Sequence, residues 1–586
     1  MFENFLAKKY VVPAILLLIM FGAFAVRFYH YDTWLYFKMD QSRDAFTISN
    51  AVKNGPGNLP LLGARAGATK VTYGFLHLGP VFYYFQYLSG VIFHSTSPQV
   101  FAYPDLFFSI AVLPLLYIFL RLYFSRLNSL LIVAMYAFSF LVIEYSRFAW
   151  NPNSLPFFTI LSFYGLLKFL HEPEEKKRKW WLILWAIGLT VGSQLHFMGF
   201  FSLVGISALL FFFHYELWKK ENIRGVFQEN NFRVLALYAG LAFLVVLIFY
   251  APVIISDSMK NWANTKDFFQ AFSTKQGNRP ITTRAIIGLQ SQIEYYVMIF
   301  TSYIITKGSN NTYGSLLSIL IGALFVGGSY LIYKFFKETK DNLRKDFLLL
   351  VFLWFFIFLL ITIPVATQIE PRYFIFTFAV PFIFLGFFFE FSERRLPEYS
   401  TGIAIAVTVV ILLANASGTS AWFSEQAKSQ KEHLTIHRTL ILKTKDGVTL
   451  GQLQGVADYI YQNRIPSDRI YFYVKPEHVR PLNYLFFEKN DKSFNYYSFK
   501  LNGDPLAQYF IVLPSDYAES EVAAKININQ PMNIISMQKF GQLAVWQVTF
   551  PGRTVDGNFQ AKSKDSNVES DRVYWKDVFG TKKPKN

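Results

Sequence analysis

Two aspartates in the segment 38–44 (KMDQSRD) have the residue type and the spacing that acid–base chemistry requires. Asp40 and Asp44 are four residues apart, so on a helix both carboxylates point the same way. Arg43 adjoins Asp44 and follows Asp40 by three residues, and a nearby guanidinium favours the ionised form of a carboxylate. The pattern predicts a pair of ionised acids that could take up a proton. A solvent-exposed helix with an internal ion pair has the same pattern, so both interpretations stay open at this point.

A second group of polar residues follows an apolar run that ends near residue 146. Glu144 lies inside that run, where a carboxylate is a functional-site hypothesis by default, and Arg147 is its nearest possible partner. A snorkelling ion pair that marks the membrane boundary is an equally good interpretation. Asn151 precedes the next apolar run, where its amide could hold a sugar hydroxyl or cap the helix. Capping is the interpretation that we favour for Asn151.

Two histidines and an Arg–Glu pair lie at the ends of other apolar runs. His77 and His196 could carry a proton or donate a hydrogen bond to a phosphate, although histidines at such boundaries are more often structural. Arg372 carries a planar, permanently charged and bidentate guanidinium, which suits a phosphate or a diphosphate. An interfacial ion pair with Glu370 is the alternative. These four residues are candidate substrate-binding groups.

The elements that must position these residues are apolar. Of 586 residues, 53% are hydrophobic and 16% are charged, against about 25% charged in an ordinary soluble domain. The apolar blocks are near 20 residues long, the length that crosses a hydrocarbon core. The composition therefore predicts a polytopic membrane protein, all-α in its membrane domain. Twelve blocks qualify: 10–29, 77–94, 100–120, 128–146, 154–170, 180–197, 198–215, 234–254, 313–334, 347–366, 372–390 and 400–418.

The distribution of charge orients these blocks. The net charge of +17 would indicate nucleic acid binding in a soluble protein, but here most of the excess lies in short loops between blocks. If 77–94 does not cross the membrane, the basic loops all lie on the same side as Lys8 and Lys9. We therefore predict about eleven transmembrane helices, a cytoplasmic N-terminus, an interfacial helix over 77–94 and no nucleic acid partner.

The predicted organisation has a membrane domain over 1–425 with two large outer loops. The first loop, 30–99, contains the two aspartates, and the second, 255–312, contains a further interfacial helix near 293–305. A small extracytoplasmic α/β domain follows over 430–552, with strands near 470–474, 509–513, 533–538 and 543–548 and helices near 451–462 and 481–487. The tail, 553–586, is polar and is predicted to be disordered.

Several kinds of chemistry lack their usual residues. The chain has 0 Cys, which excludes disulfides, thiolate nucleophiles and Cys-ligated metals. It also has no GxxxxGK[ST] phosphate loop and no HExxH motif. We predict no cofactor and no metal ligands, and participation of a divalent cation stays open.

Taken together, these motifs resemble the GT-C superfamily of lipid-phosphosugar-dependent glycosyltransferases, in particular the protein O-mannosyltransferase and aminoarabinose transferase-like branch. The resemblance rests on order and covers roughly the first 400 residues. Its motifs are an acid about ten residues beyond the first span (Asp40), PLLG at 60–63, HLGPVFYY at 77–84, SRFAWNP at 146–152, and Arg372-Tyr373 at the start of a late span.

The resemblance implies an activity and roles for individual residues. Asp40 would be the catalytic base, and Asp44 the second acid, because Gln41 stands where many relatives have Glu. Asn151 stands where the aminoarabinose branch has Asp, which weakens a metal-site interpretation. The implied enzyme is an inverting hexosyl- or pentosyltransferase in the plasma membrane. It would move a sugar from a polyprenyl-phosphate donor to a glycan, lipid or protein acceptor on the extracytoplasmic side.

A transporter or flippase for a lipid-linked sugar is the alternative. Such a protein needs a polar pathway through the bilayer, whereas charges within the blocks of this sequence are sparse and its polar residues gather at one face. A scaffold that only anchors an outer domain would not need so many spans.

Overall fold

The computed structural model describes residues 6–66, 76–221, 229–274, 279–305, 312–439, 441, 446–464, 469–472, 474–489, 496–497, 508–525, 532–549 and 572–580. Helices dominate, and they form where the sequence has its apolar blocks. Those up to residue 429 are α1 (Val11–Phe28), α2 (Met39–Asn54), α3 (Val81–Ile92), α4 (Pro98–Leu120), α5 (Arg126–Ala137), α6 (Phe140–Tyr145), α7 (Leu155–His171), α8 (Glu175–Leu195), α9 (Phe197–His214), α10 (Glu229–Met259), α11 (Ala263–Thr274), α12 (Ile281–Thr301), α13 (Thr312–Glu338), α14 (Asn342–Thr362), α15 (Val380–Arg395) and α16 (Pro397–Ser429).

Within the described part of the chain, seven helices are long and apolar enough to cross a membrane. They are α1, α4, α9, α10, α13, α14 with its 3₁₀ extension, and α16; the 3₁₀ turn Pro371–Thr377 and α15 add an eighth if that pair, bent by 41°, is one span. The chain is thus a multi-pass membrane protein, as predicted. The predicted spans 128–146, 154–170 and 180–197 coincide with α5 and α6, with α7 and with α8. Their crossing of the bilayer stays a prediction, because these helices are broken, shorter or charged at one end.

The block 77–94 forms only the 12-residue helix α3. At 1.5 Å per residue it is about 18 Å long, much shorter than a hydrocarbon core of about 30 Å. It packs on the next helix through polar contacts: Gln86 Nε2 donates to the Phe101 carbonyl at 3.4 Å, and Ser89 Oγ donates to the Val100 carbonyl at 2.6 Å. The prediction that 77–94 is not a full span fits this length.

The helices α7 and α8 form an antiparallel hairpin with close backbone contact. A Cβ at Gly165 would lie 2.7 Å from the Trp185 nitrogen, and one at Gly188 would lie 2.5 Å from the Ser162 nitrogen. Small residues permit such an approach between membrane helices. The hairpin brings the start of α7 and the end of α8 to the same side of the protein.

The second outer loop contains α11 and α12. The helix expected near 293–305 is α12, which begins earlier, after Pro280, and ends at Thr301. Its second half is buried, with Tyr296 and Ile299 fully inaccessible to solvent. Tyr296 stacks on Phe325 of α13 at 4.7 Å between ring centroids, so this half of α12 is anchored on the membrane domain.

The C-terminal domain is α/β, as the pattern predicted. Its five-stranded sheet has the order β2-β1-β3-β5-β4, parallel across the first three strands and antiparallel across the last three. The strands β3 and β5 are buried on both faces, as expected for the centre of a covered sheet. Its elements are α17 (Leu450–Asn463), β1 (Arg469–Phe472), α18 (Pro476–Glu488), β2 (Tyr496–Tyr497), β3 (Tyr509–Pro514), α19 (Glu519–Lys525), β4 (Asn533–Phe540) and β5 (Leu543–Thr549).

This domain docks on the first outer loop. The first residues of α17 donate backbone hydrogen bonds to that loop, from Leu450 to the Leu35 carbonyl at 3.0 Å and from Gly451 to the Thr33 carbonyl at 2.8 Å. A Cβ at Gly451 would lie 3.0 Å from the Thr33 carbonyl oxygen, so a residue without a side chain suits this contact.

The prediction of a disordered tail over 553–586 is wrong at residues 572–580. This segment pairs with the extended chain near Leu59–Leu61, where the Leu61 nitrogen donates to the Val573 carbonyl at 2.9 Å. The short helix α20 (Trp575–Phe579) follows, and Trp575 Nε1 donates to Tyr84 Oη at 2.9 Å. The composition of the tail is polar when averaged over 553–586, and this average does not reveal the short aromatic run within it. The rest of the tail lies outside the described residues.

Candidate active site

The helix α2 brings the two predicted acids to one guanidinium. Arg43 Nη1 donates to Asp40 Oδ1 at 3.0 Å, and Arg43 Nε donates to Asp44 Oδ1 at 2.9 Å. Gln41, which lies between the two acids in sequence, caps the start of the helix. Its Oε1 accepts a hydrogen bond from the Lys38 backbone nitrogen at 3.2 Å. The spacing of four residues therefore brings both carboxylates to one guanidinium, as both interpretations of the sequence expect, and their role in acid–base chemistry stays a prediction.

The two acids differ in exposure. The Asp44 side chain is 2% exposed, whereas the Asp40 side chain is 49% exposed. Tyr83 of α3 donates its hydroxyl to Asp44 Oδ1 at 2.7 Å. Burial raises the pKa of Asp44, while Arg43 and the Tyr83 hydroxyl oppose that rise. Asp44 is a fixed, interior carboxylate, and Asp40 is the acid that a molecule from the water phase can reach.

Lys38, two residues before Asp40, joins this loop to the C-terminal domain. Its side chain is buried, and Nζ lies 2.5 Å from Asp446 Oδ1 and 3.4 Å from His478 Nδ1. Lys475 Nζ and His478 Nε2 contact the other oxygen of Asp446, at 3.0 and 3.2 Å. This Lys38–Asp446–His478 cluster ties the start of α2 to the start of α18.

The cluster has strongly perturbed titration behaviour. Burial and the charge of Lys38 lower the pKa of His478 to about 4. The pKa of Asp446 is also lowered: burial would raise it, but the hydrogen bond with His478 and the charge of Lys38 outweigh burial. Burial lowers the pKa of Lys38, and Asp446 opposes that change. An anionic Asp446 beside a neutral His478 is the state that the shifts of these two groups favour near neutral pH.

A row of aromatic rings leads from this cluster to the predicted phosphate-binding arginine. Lys38 Nζ lies 5.7 Å from the Tyr36 ring, which packs edge-on against Phe148 at 5.1 Å. Phe148 contacts Trp150 at 5.6 Å, and the Arg372 guanidinium lies 5.6 Å from the Trp150 ring. Burial raises the pKa of Tyr36 well above its usual value, and carboxylates that include Asp40 and Glu144 add to the effect. The aromatic row Tyr36–Phe148–Trp150 therefore runs from Lys38 to Arg372, and the charges of Asp40 and Glu144 act on the Tyr36 end of it.

Glu144 and Arg147 do not form the pair that the sequence suggested. Glu144 is buried, and its Oε1 accepts from Thr439 Oγ1 at 2.7 Å. Arg147 instead donates to carbonyls at the end of α1, from Nη1 to that of Arg27 at 2.6 Å and from Nη2 to that of Tyr29 at 2.7 Å. Cations at a helix C-terminus satisfy its last carbonyls, which explains this choice of partner.

Asn151 and His196 lie together at the junction of α7, α8 and α9. Asn151 Nδ2 donates to the Leu195 carbonyl, the residue before His196. His196 precedes α9 as its N-cap, where Nδ1 accepts from the Met198 nitrogen at 3.2 Å. Its ring lies 5.5 Å from that of Tyr373, the neighbour of Arg372. The structure thus brings His196 close to the Arg372 segment, while Asn151 has a positioning contact.

His77 and Glu370 have more local settings. The His77 backbone exchanges hydrogen bonds with the Asn264 amide of the second outer loop, at 2.8 and 3.3 Å. Glu370 precedes the 3₁₀ turn Pro371–Thr377 as its N-cap and is half-buried. The two outer loops therefore meet at His77.

Asp105 is a further residue of this region, one that no motif in the sequence singles out. This buried carboxylate in α4 accepts from the Trp150 nitrogen at 2.8 Å and from Ser154 Oγ at 2.5 Å, and so holds the turn that contains Asn151. The position of Asp105 inside an apolar block is the feature of the sequence that could have identified it, because an acid within such a block is a functional-site hypothesis by default. Lys38 adjoins the predicted acids, but no pattern in the sequence pairs it with Asp446.

A cavity of about 510 Å³ lies between α2, the start of α4 and the C-terminal domain, next to Lys53, Thr96 and Glu488. It lies at the far end of α2 from Asp40, and none of the predicted site residues lines it. The Lys53–Glu488 ion pair at 3.0 Å forms part of its wall. We therefore assign this cavity to the packing of the C-terminal domain.

Comparisons with known proteins support the resemblance. Residues 70–254 match the family model of dolichyl-phosphate-mannose-protein mannosyltransferase, which confirms the similarity to GT-C glycosyltransferases. The matched range contains His77, Glu144, Asn151 and His196 and leaves out the two aspartates. A search of curated proteins finds no match.

Several solved structures are similar at low identity. The Archaeoglobus fulgidus oligosaccharyltransferase in the apo form is 13% identical with a TM-score of 0.47, covering 82% of this chain and 64% of that one. AglB from Archaeoglobus fulgidus with an inhibitory peptide and a dolichol-phosphate is 14% identical, with the same TM-score and coverages. ArnT from Cupriavidus metallidurans in the apo state is 12% identical with a TM-score of 0.43, covering 91% and 97%. The chain spans less than two thirds of the oligosaccharyltransferase that it matches.

Proposed function

We propose that this multi-pass membrane protein, a relative of the GT-C glycosyltransferases, transfers a sugar from a polyprenyl-phosphate donor to an acceptor hydroxyl. The reaction would take place on the extracytoplasmic face of the plasma membrane. The observation that carries the proposal is the acid pair of α2, in which one guanidinium holds a buried and a half-exposed carboxylate. The match of residues 70–254 to a mannosyltransferase family supports it.

Asp40 is the proposed general base. Its exposed carboxylate takes the proton of the acceptor hydroxyl as that oxygen attacks the anomeric carbon. The phosphate oxygen leaves from the opposite face of the anomeric carbon as its bond to that carbon breaks. The configuration at the anomeric carbon therefore inverts. Asp44 and Arg43 orient Asp40, because Arg43 is held on the buried Asp44 from two of its nitrogens and donates to Asp40 from a third.

The leaving group is a polyprenyl phosphate, whose oxygens gain negative charge as the bond breaks. Arg372 is the proposed cation that stabilises this charge. His196 is the proposed second hydrogen-bond donor to the phosphate, because its ring lies close to that of Tyr373, the residue after Arg372. The guanidinium of Arg372 lies against the rings of Trp150 and Tyr373, at 5.6 Å from each. Flat aromatic surfaces of this kind leave its edge available to a phosphate.

The test uses purified protein with a radiolabelled polyprenyl-phosphate sugar and a mixture of envelope acceptors. Transfer of label is expected for the native chain and is expected to fall to background for Asp40→Asn. Asp32→Asn is the matched control, because Asp32 is an exposed acid of the same loop outside the pair, and it should transfer label normally.

Two results contradict the proposal. Full activity in Asp40→Asn would exclude this residue as the base. Movement of the intact labelled lipid across proteoliposome membranes, with no transfer to any acceptor, would favour the flippase alternative instead.

A further inference from the structure

Two histidines and an aspartate meet at the end of the membrane domain opposite the acid pair. His171 is the last residue of α7, His214 is the last residue of α9, and Asp346 lies in the first turns of α14. Asn151 precedes α7, so His171 lies one helix length away from it, about 26 Å at 1.5 Å per residue. This His171–His214–Asp346 cluster is therefore separate from the candidate active site.

The three side chains converge on a single oxygen. His171 Nε2 lies 2.7 Å and His214 Nδ1 lies 2.5 Å from Asp346 Oδ2. One ligand atom of each residue lies within 4.8 Å of the other two. The described part of the chain shows no ion pair from a lysine or an arginine to this carboxylate.

We propose that the His171–His214–Asp346 cluster binds a divalent transition-metal cation of the zinc class. Two imidazole nitrogens and a carboxylate oxygen are a donor set that zinc accepts. Ligand atoms around tetrahedral zinc are about 3.3 Å apart, so the cluster needs to open by less than about 1 Å. The cation then takes the place of the hydrogen-bond protons that now lie between the imidazoles and the carboxylate.

The surroundings leave room for a fourth ligand. The side chains of His171, His214 and Asp346 are 16%, 18% and 10% exposed, so water reaches the cluster and can complete the coordination. The three ligands come from three helices that are far apart in sequence. A bound cation would hold the ends of α7, α9 and α14 together on the side of the basic loops, a structural role.

A second cluster of similar composition shows the contrast. Asp446, Glu477 and His478 also place three ligand atoms within 4.8 Å of one another. There the Lys38 ammonium lies 2.5 Å from Asp446 and supplies the positive charge itself. A metal cation would be repelled from that cluster, so we assign the site to His171, His214 and Asp346 alone.

The experiment uses the full chain in detergent, with a purification tag that contains no histidine. The protein is stripped with a chelator, reloaded with Zn²⁺ and freed of excess metal, and zinc is counted by elemental mass spectrometry. One zinc per chain is expected, together with a higher Tm than the stripped protein. Loading with Co²⁺ should produce the visible absorption of a four-coordinate ion without thiolate ligands.

His214→Gln and Asp346→Asn should each weaken Zn²⁺ binding by at least about tenfold. His433→Gln is the matched control, because His433 is an exposed histidine of the outer domain, 3.5 Å from Asp516. His478→Gln controls for the second cluster. Both controls should bind zinc like the native chain.

Three results overturn the proposal. The first is the absence of zinc from the reloaded native chain, a measurement that does not depend on any variant folding. The second is native-like binding by His214→Gln and Asp346→Asn. The third is loss of the zinc in His478→Gln, which would move the site to the outer domain.

Discussion

Asp40 and Asp44 share one guanidinium, and their surroundings separate their roles. Asp44 accepts from Arg43 and from the Tyr83 hydroxyl inside the protein, so neither its position nor its partners can vary much. Asp40 has Arg43 alone as its ion-pair partner among the described residues and keeps half of its side chain in water. Two carboxylates with different environments can hold different protonation states, which is the usual basis for dividing acid–base work between a pair.

Tyr83→Phe tests how the buried acid is held. The phenol hydrogen bond lowers the pKa of Asp44, so its loss should raise that pKa. If transfer needs Asp44 ionised, the acidic limb of the pH–rate profile should move to higher pH, with little change on the plateau above that limb. The measurement is label transfer as a function of pH.

Tyr84→Phe is the control for that profile. Tyr84 is the neighbouring tyrosine, and its hydroxyl contacts Pro60 and Trp575 and not an acid. An unchanged acidic limb in Tyr83→Phe would mean that Asp44 has no part in the rate-limiting step.

At this scale the sequence predicts local pairs and misses distant ones. Arg43 contacts residues one and three positions away, and helical periodicity is enough to anticipate that. Glu144 contacts Thr439, 295 positions away, and Lys38 contacts Asp446, 408 positions away. Such pairs depend on how the domains dock, which no pattern of spacing encodes. The interpretation of Glu144 with Arg147 failed for this reason.

At the scale of elements, the length of the apolar blocks predicts the positions of the helices reliably. The predicted blocks coincide with helices, and the one block with Gly79-Pro80 near its start became the short α3. The boundary of α12 was missed because its first half is amphipathic and exposed in part. The α7–α8 hairpin sets the site geometry at this scale, since its open end carries Asn151 and Leu195.

Gly165→Leu tests the hairpin. The new side chain would meet the backbone of Trp185, and neither helix can yield without separating. We expect a cost of about 1–3 kcal/mol or more, seen as a lower Tm in detergent. Gly240→Leu is the matched control, because a Cβ at Gly240 meets nothing within 4 Å.

Leucine favours a helix over glycine by about 1 kcal/mol, so the control should melt at or above the native temperature. Equal melting of Gly165→Leu and the native chain would show that the hairpin is not tightly packed at this position.

At the scale of the whole molecule, the C-terminal α/β domain is a structural partner of the segment that contains Asp40 and Asp44. The chain returns to that loop at Lys38 through Asp446 and His478, and at Leu35 through the start of α17. In the proposed reaction, a domain docked this closely to Asp40 would restrict which acceptors can approach. Removing it should therefore change acceptor choice as well as stability.

The docking should weaken in acid. His478 has a pKa of about 4 in the folded protein against an ordinary 6.5, so between these values the unfolded chain takes up a proton that the folded chain does not. Stability from this residue is complete above pH 6.5 and falls as the pH drops toward 4, by up to about 3 kcal/mol. The lowered pKa of Asp446 adds a further loss below about pH 4.

The measurement is Tm against pH for the native chain and for His478→Gln, which has no titrating ring. The variant should lose the slope between pH 6.5 and 4 and keep the loss at lower pH. His433→Gln, an exposed control, should keep the native slope. Parallel curves for all three proteins would exclude His478 as the origin of the pH dependence.

Residues 572–580 pack against the first outer loop, so the surroundings of that loop are complete only when the end of the chain has been made. Arg572 approaches Tyr83 at 3.4 Å, and Tyr83 holds Asp44, so this late segment touches the support of the acid pair. A ribosome makes the acid pair first and residues 572–580 long afterwards. During synthesis the first loop is therefore made before the contact of Arg572 with Tyr83 can form. If the proposed transfer depends on this support of Asp44, a chain still in synthesis would lack it until residues 572–580 are made.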